Sequence, residues 1–160
     1  MIGTVRRNHA LEHATISVLA GKMGQDIRLV GRATNSGFYL YGEMTEDHVR
    51  ESTLEALARL QRGERHLAVS PLCGTNLAVA GILAGVASLI ALGNRSRIER
   101  IPNVLLASML AMLVAQPLGG LVQKHLTTDP DLSDTEFVSV REGGRSAGRF
   151  HKVETLRAPR

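Results

Sequence analysis

The sequence contains no tryptophan, only five other aromatic residues and a single cysteine. One thiol cannot close an intrachain disulfide, so packing rather than a covalent staple must hold the fold. With few rings for bases to stack on, and no segment basic enough to follow a phosphate backbone, a nucleic-acid partner is excluded. The formal charge of +4 is thinly spread. It divides into +1 before residue 67, +2 between residues 95 and 100, and +1 after that. The opening MIGTVRRNHA is polar where a secretory signal would place its apolar core. Insertion into a membrane is therefore expected to be directed from within the chain.

Charge is missing most conspicuously from two long runs. Leu67 to Asn94 holds no charged residue, and from Ile101 to Lys124 the only one is Lys124 itself. Each run exceeds the roughly 20 residues that cross a hydrocarbon core. The expected fold class is an α+β membrane protein: a small α-β-β-α domain over residues 1–66, a two-helix transmembrane hairpin over 67–124, and a C-terminal tail with a β-hairpin over 125–160.

What the sequence does hold is HALEH at residues 9–13, opening a predicted helix from about Thr4 to Lys22. Residues three and four apart share a helix face, so His9, Glu12 and His13 project together. Two neutral imidazoles one turn apart can grip one zinc ion at about 2.0–2.1 Å. A neighbouring carboxylate can hold and deprotonate a metal-bound water. The following run, ATISVLAG, is nearly free of polarity all round, as in a buried helix. A buried Glu between two His is costly unless paired or bound to a metal; solvated or mutually bonded side chains are the plainer reading.

Further on, DIRLVGRA and GFYLYGEM read as strands. Ile27 and Leu29 alternate with charged neighbours, Phe38 and Leu40 alternate with Tyr39 and Tyr41, and an Asn-Ser-Gly turn separates the two. Thr45 followed by Glu46 and Asp47 marks the start of a second helix reaching about Gln61. On it, Glu51, Glu55 and Arg59 form an i, i+4 series, read first as a solvated salt-bridge face. His66 and Cys73 stand in RHLAVSPLCGTN at the entrance to the first apolar run, where they are candidate metal ligands; Cys73 is also a candidate for juxtamembrane acylation. Gly81 and Gly85 form a close-packing motif whose small residues are expected to face the second span or a second copy of the chain. Pro102 suits the first turn of the second apolar helix. Pro117 is expected to kink it, and Gln116 to bond across to its partner. FVSVRE and GRFHKVETL alternate again, around Gly143-Gly144.

HALEH resembles the H-x-x-E-H signature of the inverted zinc peptidases, the class of insulin-degrading enzyme and pitrilysin. The resemblance covers five residues. It implies His9 and His13 as zinc ligands and Glu12 as general base, with a third ligand downstream. That family's spacing to its third ligand falls here inside an apolar run, so Glu51, Glu55, His66 or Cys73 would have to supply it. Nearly the whole chain is also similar to a small bacterial family of two-span membrane proteins of unknown function, through RRNHALEHATI, GFYLYGE, HLAVSPLCGTN and AQPLG followed by TTDPDL. That resemblance implies an architecture and no activity.

Two functions are therefore expected. The first is a membrane-tethered zinc-dependent hydrolase, most naturally a peptidase, with Zn2+ as cofactor, a protein or peptide as substrate and Glu12 taking the proton. The second is a non-enzymatic membrane module, its helix structural or stapled by a metal, that assembles with a partner protein. A closed four-ligand site belongs to the second; three ligands and a water belong to the first. The lipid bilayer is a partner under both. The expected setting is the bacterial inner membrane with the soluble domain in the cytoplasm, although Arg95, Arg97 and Arg100 in the short loop compete with Arg59, Arg62, Arg65 and Lys124 at the other ends.

Overall fold

The computed structural model describes residues 2–24, 28–93, 100–144 and 149–158. It divides into two units, residues 1–70 with 124–160, and residues 71–123.

The first unit packs two helices on one face of a four-stranded antiparallel sheet. Helix α1 runs Ile2–Met23. Strands β1 (Val30–Thr34) and β2 (Gly37–Tyr41) follow, joined at Asn35-Ser36. The Thr34 hydroxyl closes this turn on the Gly37 carbonyl at 3.0 Å. Ile27, expected within the first strand, lies outside the described residues. Helix α2 spans Glu46–Gln61 and starts where Thr45 accepts the His48 N–H at 3.3 Å, satisfying one of the orphan donors of the first turn. A 3-10 turn, Arg65–Ala68, ends this part of the chain.

After the second unit the chain returns through a π-helical turn, Gln123–Thr127, into β3 (Thr135–Gly143) and β4 (Phe150–Arg157). Strand order is β1-β2-β4-β3, so the hairpin of the C-terminal segment is no separate appendage: β4 lies between β2 and β3. In that pairing Gly37 faces Glu154, Phe38 faces Val153 and Leu40 faces His151. Gly37, at φ 136°, is required here, because a Cβ would collide with the Val153 carbonyl. Period-2 alternation sorts the faces: Phe38, Leu40, His151, Val153 and Val140 turn inward and are buried, while Tyr39, Tyr41 and Phe150 group on the outer face with ring centroids 5.9–6.5 Å apart. The core joins the inward set to Leu11, Ala14, Val18 and Leu19 of α1 and to Val49, Ala56, Leu57 and Leu60 of α2. The solvated series on α2 is observed as expected, with Glu55 bridging Lys22 at 2.9 Å and Arg59 at 3.8 Å.

The second unit is a hairpin of α3 (Gly74–Leu92) and α4 (Ile101–Val122); the loop at 94–99 lies outside the described residues. Both helices are long and apolar enough to cross a membrane, with mean hydropathy 2.0 and 1.9. Only 6% of the first apolar window and 11% of the second are buried, unlike the core helices of a soluble protein. Two packing expectations are corrected. Gly81 and Gly85 are exposed, with open space where a Cβ would stand, and the helices meet instead through Ser88 and Ser108, whose hydroxyls lie 2.9 Å apart. Gln116 is exposed; the buried cross-helix amide bond runs from Gln123 to Asn76 at 2.7 Å. Asn76 in turn donates to the Pro71 carbonyl at 2.8 Å and packs directly over Gly119. The physical reason is depth: an amide pair near the open end of the hairpin can satisfy the irregular backbone at Pro71, which Gln116 on the outer face of α4 cannot.

Candidate metal centre on the first helix

HALEH sits in the third turn of α1 and the start of the fourth, and its three polar members point to different neighbours. The His9 and His13 rings stand edge to face with centroids 4.3 Å apart. His13 is buried and His9 half-buried. The Nδ1 of His13 lies 2.9 Å from the Ala68 carbonyl, and the Nδ1 of His9 lies 2.9 Å from the Thr127 carbonyl. A carbonyl oxygen can only accept, so both Nδ1 atoms donate, and a neutral ring held this way would offer its Nε2 lone pair. Metal-binding histidines are held in this way, with one nitrogen donating to a carbonyl and the other turned to the metal. A ligand nitrogen of each ring lies within 4.8 Å of one on the other.

Glu12 is buried, and its side chain lies against Gly31 in β1. The absence of a side chain at Gly31 makes the space for that carboxylate. The pentad therefore links α1 to the sheet through Glu12, to the 3-10 turn through His13 and to the π-helical turn through His9.

His66 and Cys73 occupy different settings. His66 is exposed on the 3-10 turn and lines a cavity shared with Arg6, Arg65 and Lys124, a cationic neighbourhood that disfavours a divalent ion. Cys73 belongs to the helical unit, where it caps α3 by accepting the Thr75 N–H on its sulfur at 3.4 Å. Glu55 is engaged with Lys22 and Arg59.

Residues 4–140 match the family described as Domain of unknown function (DUF6391). The chain belongs to that family. An uncharacterized protein of a Picosynechococcus strain is 32% identical over 137 residues, 78% of this chain and 65% of the relative, so the chain spans just under two thirds of that relative's length. No solved structure matches. The DUF6391 match takes in the HALEH helix, both apolar helices, and His66 and Cys73.

Reading the sequence alone missed Asn8 and Arg6. Asn8 is buried and donates to the Thr34 carbonyl at 2.8 Å while accepting from the Thr155 hydroxyl at 2.8 Å. Arg6 donates to the carbonyls of His125 and Thr128, each at 3.0 Å. The only sequence signal was their place immediately before the motif. Their partners are more than 100 residues away for Arg6 and Thr155, beyond the reach of any local pattern.

Proposed function

We propose that this chain is an integral membrane protein whose first helix carries a zinc staple, and that it acts as a non-enzymatic module assembling with a partner in the bilayer. The observation carrying this reading is the pair of Nδ1–carbonyl contacts. They engage Nδ1 of both imidazoles, which would leave Nε2 for a metal, and they tie α1 to the two backbone segments that precede and follow the apolar hairpin. A metal on the two Nε2 atoms would lock those segments to one helix, a structural duty. Of the further ligands nominated from the sequence, His66 is disfavoured, because it stands among cations. The exposed apolar faces of α3 and α4, with Gly81 and Gly85 open on one of them, supply surface for lipid, for a partner helix or for a second copy of the chain. The setting proposed is the bacterial inner membrane with the α/β unit in the cytoplasm.

A zinc-dependent peptidase is the second reading. The observation favouring it is Glu12, a buried carboxylate one residue from one ligand and three from the other. Against it stands access: Glu12 and His13 are both buried, and neither they nor His9 line the larger cavity of the α/β unit.

Metal analysis of chain purified without chelator tests the proposal. About one zinc per chain is expected, lost in His9→Ala and His13→Ala and kept in His66→Ala. Metal-free wild type would end both readings. Labelling of cysteines introduced in a Cys73→Ser background tests the orientation: reaction from outside the cell at residue 36 but not at 96 would reverse it.

A further inference from the structure

The larger cavity of the α/β unit, about 850 Å³, has no part in the metal centre. Its volume lies within the roughly 300–1,000 Å³ typical of small-molecule sites. Three segments converge on it: Arg6 from α1, Arg65 and His66 with Ala68 and Val69 from the 3-10 turn, and Lys124 and His125 from the π-helical turn. Arg6, Arg65 and Lys124 bring three full positive charges to one concavity. The only acid on the wall is Asp129, and its carboxylate is already drawn to Arg7 at 3.4 Å. Among the described residues no ion pair neutralises Arg6, Arg65 or Lys124.

Arg6 is also braced. One terminal nitrogen holds the carbonyls of His125 and Thr128, and the Asp129 N–H returns a bond to the Arg6 carbonyl at 3.1 Å. The Nε of Arg6 is buried and has no hydrogen-bond partner. A guanidinium held in place, beside two exposed cations and two imidazoles, is the donor set for a phosphate oxygen cluster rather than for a single carboxylate. Val69, Ala68 and Pro130 give the remaining wall an apolar character. The wall segments are also the stretches of chain that lead into and out of the apolar hairpin, ending at Val69 and resuming at Lys124.

The geometry points to a phosphate-binding pocket, for a phosphate-bearing anion of the class presented by acidic phospholipid headgroups and by soluble phosphate esters. Arg6 would orient the phosphate, and Arg65 and Lys124 would supply the balancing charge. Juxtamembrane basic pockets recognise headgroups through the same chemistry. The site is independent of any metal on His9 and His13.

The full chain in neutral detergent, with and without zinc, tests this by native mass spectrometry and thermal shift. The probes are phosphatidylglycerol, phosphatidylcholine and inorganic phosphate. Retention of phosphatidylglycerol over phosphatidylcholine, with competition by phosphate, supports the headgroup source. A response to phosphate alone supports a soluble ester. The double variant Arg65→Glu/Lys124→Glu, at two exposed positions, should lose at least about tenfold in affinity, while Arg62→Glu, exposed and outside the cavity, should leave it unchanged. Circular dichroism confirms that each variant is folded. Failure of every probe to bind wild type overturns the proposal, as does an equal loss in Arg62→Glu, which would mark a diffuse surface effect.

Discussion

The side chain of Glu12 lies so close to Gly31 that a methyl group added to that glycine would fall 2.7 Å from Glu12 Cγ, and nearer still to the carboxylate. The central acid of the motif therefore has its place set by a missing side chain in β1. Gly31→Ala should destabilise the chain by about 1–3 kcal/mol through overpacking. Truncating the acid in the same background, Gly31→Ala/Glu12→Ala, should recover part of that loss, because the two positions share one space. Thermal unfolding in detergent measures all three variants. A Gly31→Ala chain as stable as wild type would show that Glu12 has another rotamer available at no cost.

Asn8 provides a second check on how α1 is fastened. Its amide joins the Thr34 carbonyl of β1 to the Thr155 hydroxyl of β4, at 2.8 Å each. Asn8→Leu keeps the volume and leaves both partners unsatisfied, for which about 1–3 kcal/mol is expected. Thr155→Val removes only the hydroxyl and should cost less. Similar unfolding midpoints for Asn8→Leu and wild type would contradict this account.

Much of this fold was legible because local pattern and tertiary burial agree. Phe38 and Leu40 alternate with Tyr39 and Tyr41, and the structure buries the first pair. Thr45 announces α2, and two charge-free runs announce the hairpin. What was illegible depends on long-range pairing. Nothing near Phe150 says that β4 will insert between β2 and β3, since an alternating strand fits any sheet of matching face. Gly81 and Gly85 were expected to face the second span and are exposed instead, for a small-residue motif does not say which helix it meets. At the site, the spacing of HALEH places His9 and His13 together, yet only the carbonyls of Thr127 and Ala68 decide their tautomer. Those carbonyls belong to backbone, which sequence motifs do not record.

His151 makes the stability of the α/β unit sensitive to acid. It is fully buried between Leu40 and Glu142 in register, and neither ring nitrogen has a hydrogen-bond partner. Burial holds its imidazole below the usual histidine range; Glu142 and Glu46 oppose that shift, and Arg149 adds to it. The unfolded chain thus binds this proton more readily than the folded one. Stability from this group is fully present above the unfolded value, near about 6.5, and is lost as pH falls through the lower folded value. His151→Leu should remove that component, gaining on wild type between about pH 7.5 and pH 5. Thermal unfolding at the two ends of that range reads the difference, and a constant gap between the proteins would refute it.

Glu12→Gln separates the two functional readings. If Glu12 oriented a histidine ligand, its loss would weaken zinc by about 10–100-fold. That orienting role is already filled, since His9 donates to Thr127 and His13 to Ala68. Glutamine also keeps the shape that fits over Gly31. Zinc affinity within about threefold of wild type is therefore expected, and a larger loss would show that Glu12 supports the metal after all. The same variant tests for catalysis. A general base contributes about 10²–10⁴-fold to a rate, so any hydrolysis of casein or membrane peptides by wild type should collapse in Glu12→Gln while zinc stays bound. The staple reading expects no such hydrolysis to lose. Zinc-dependent turnover that disappears with Glu12 would replace it with the peptidase.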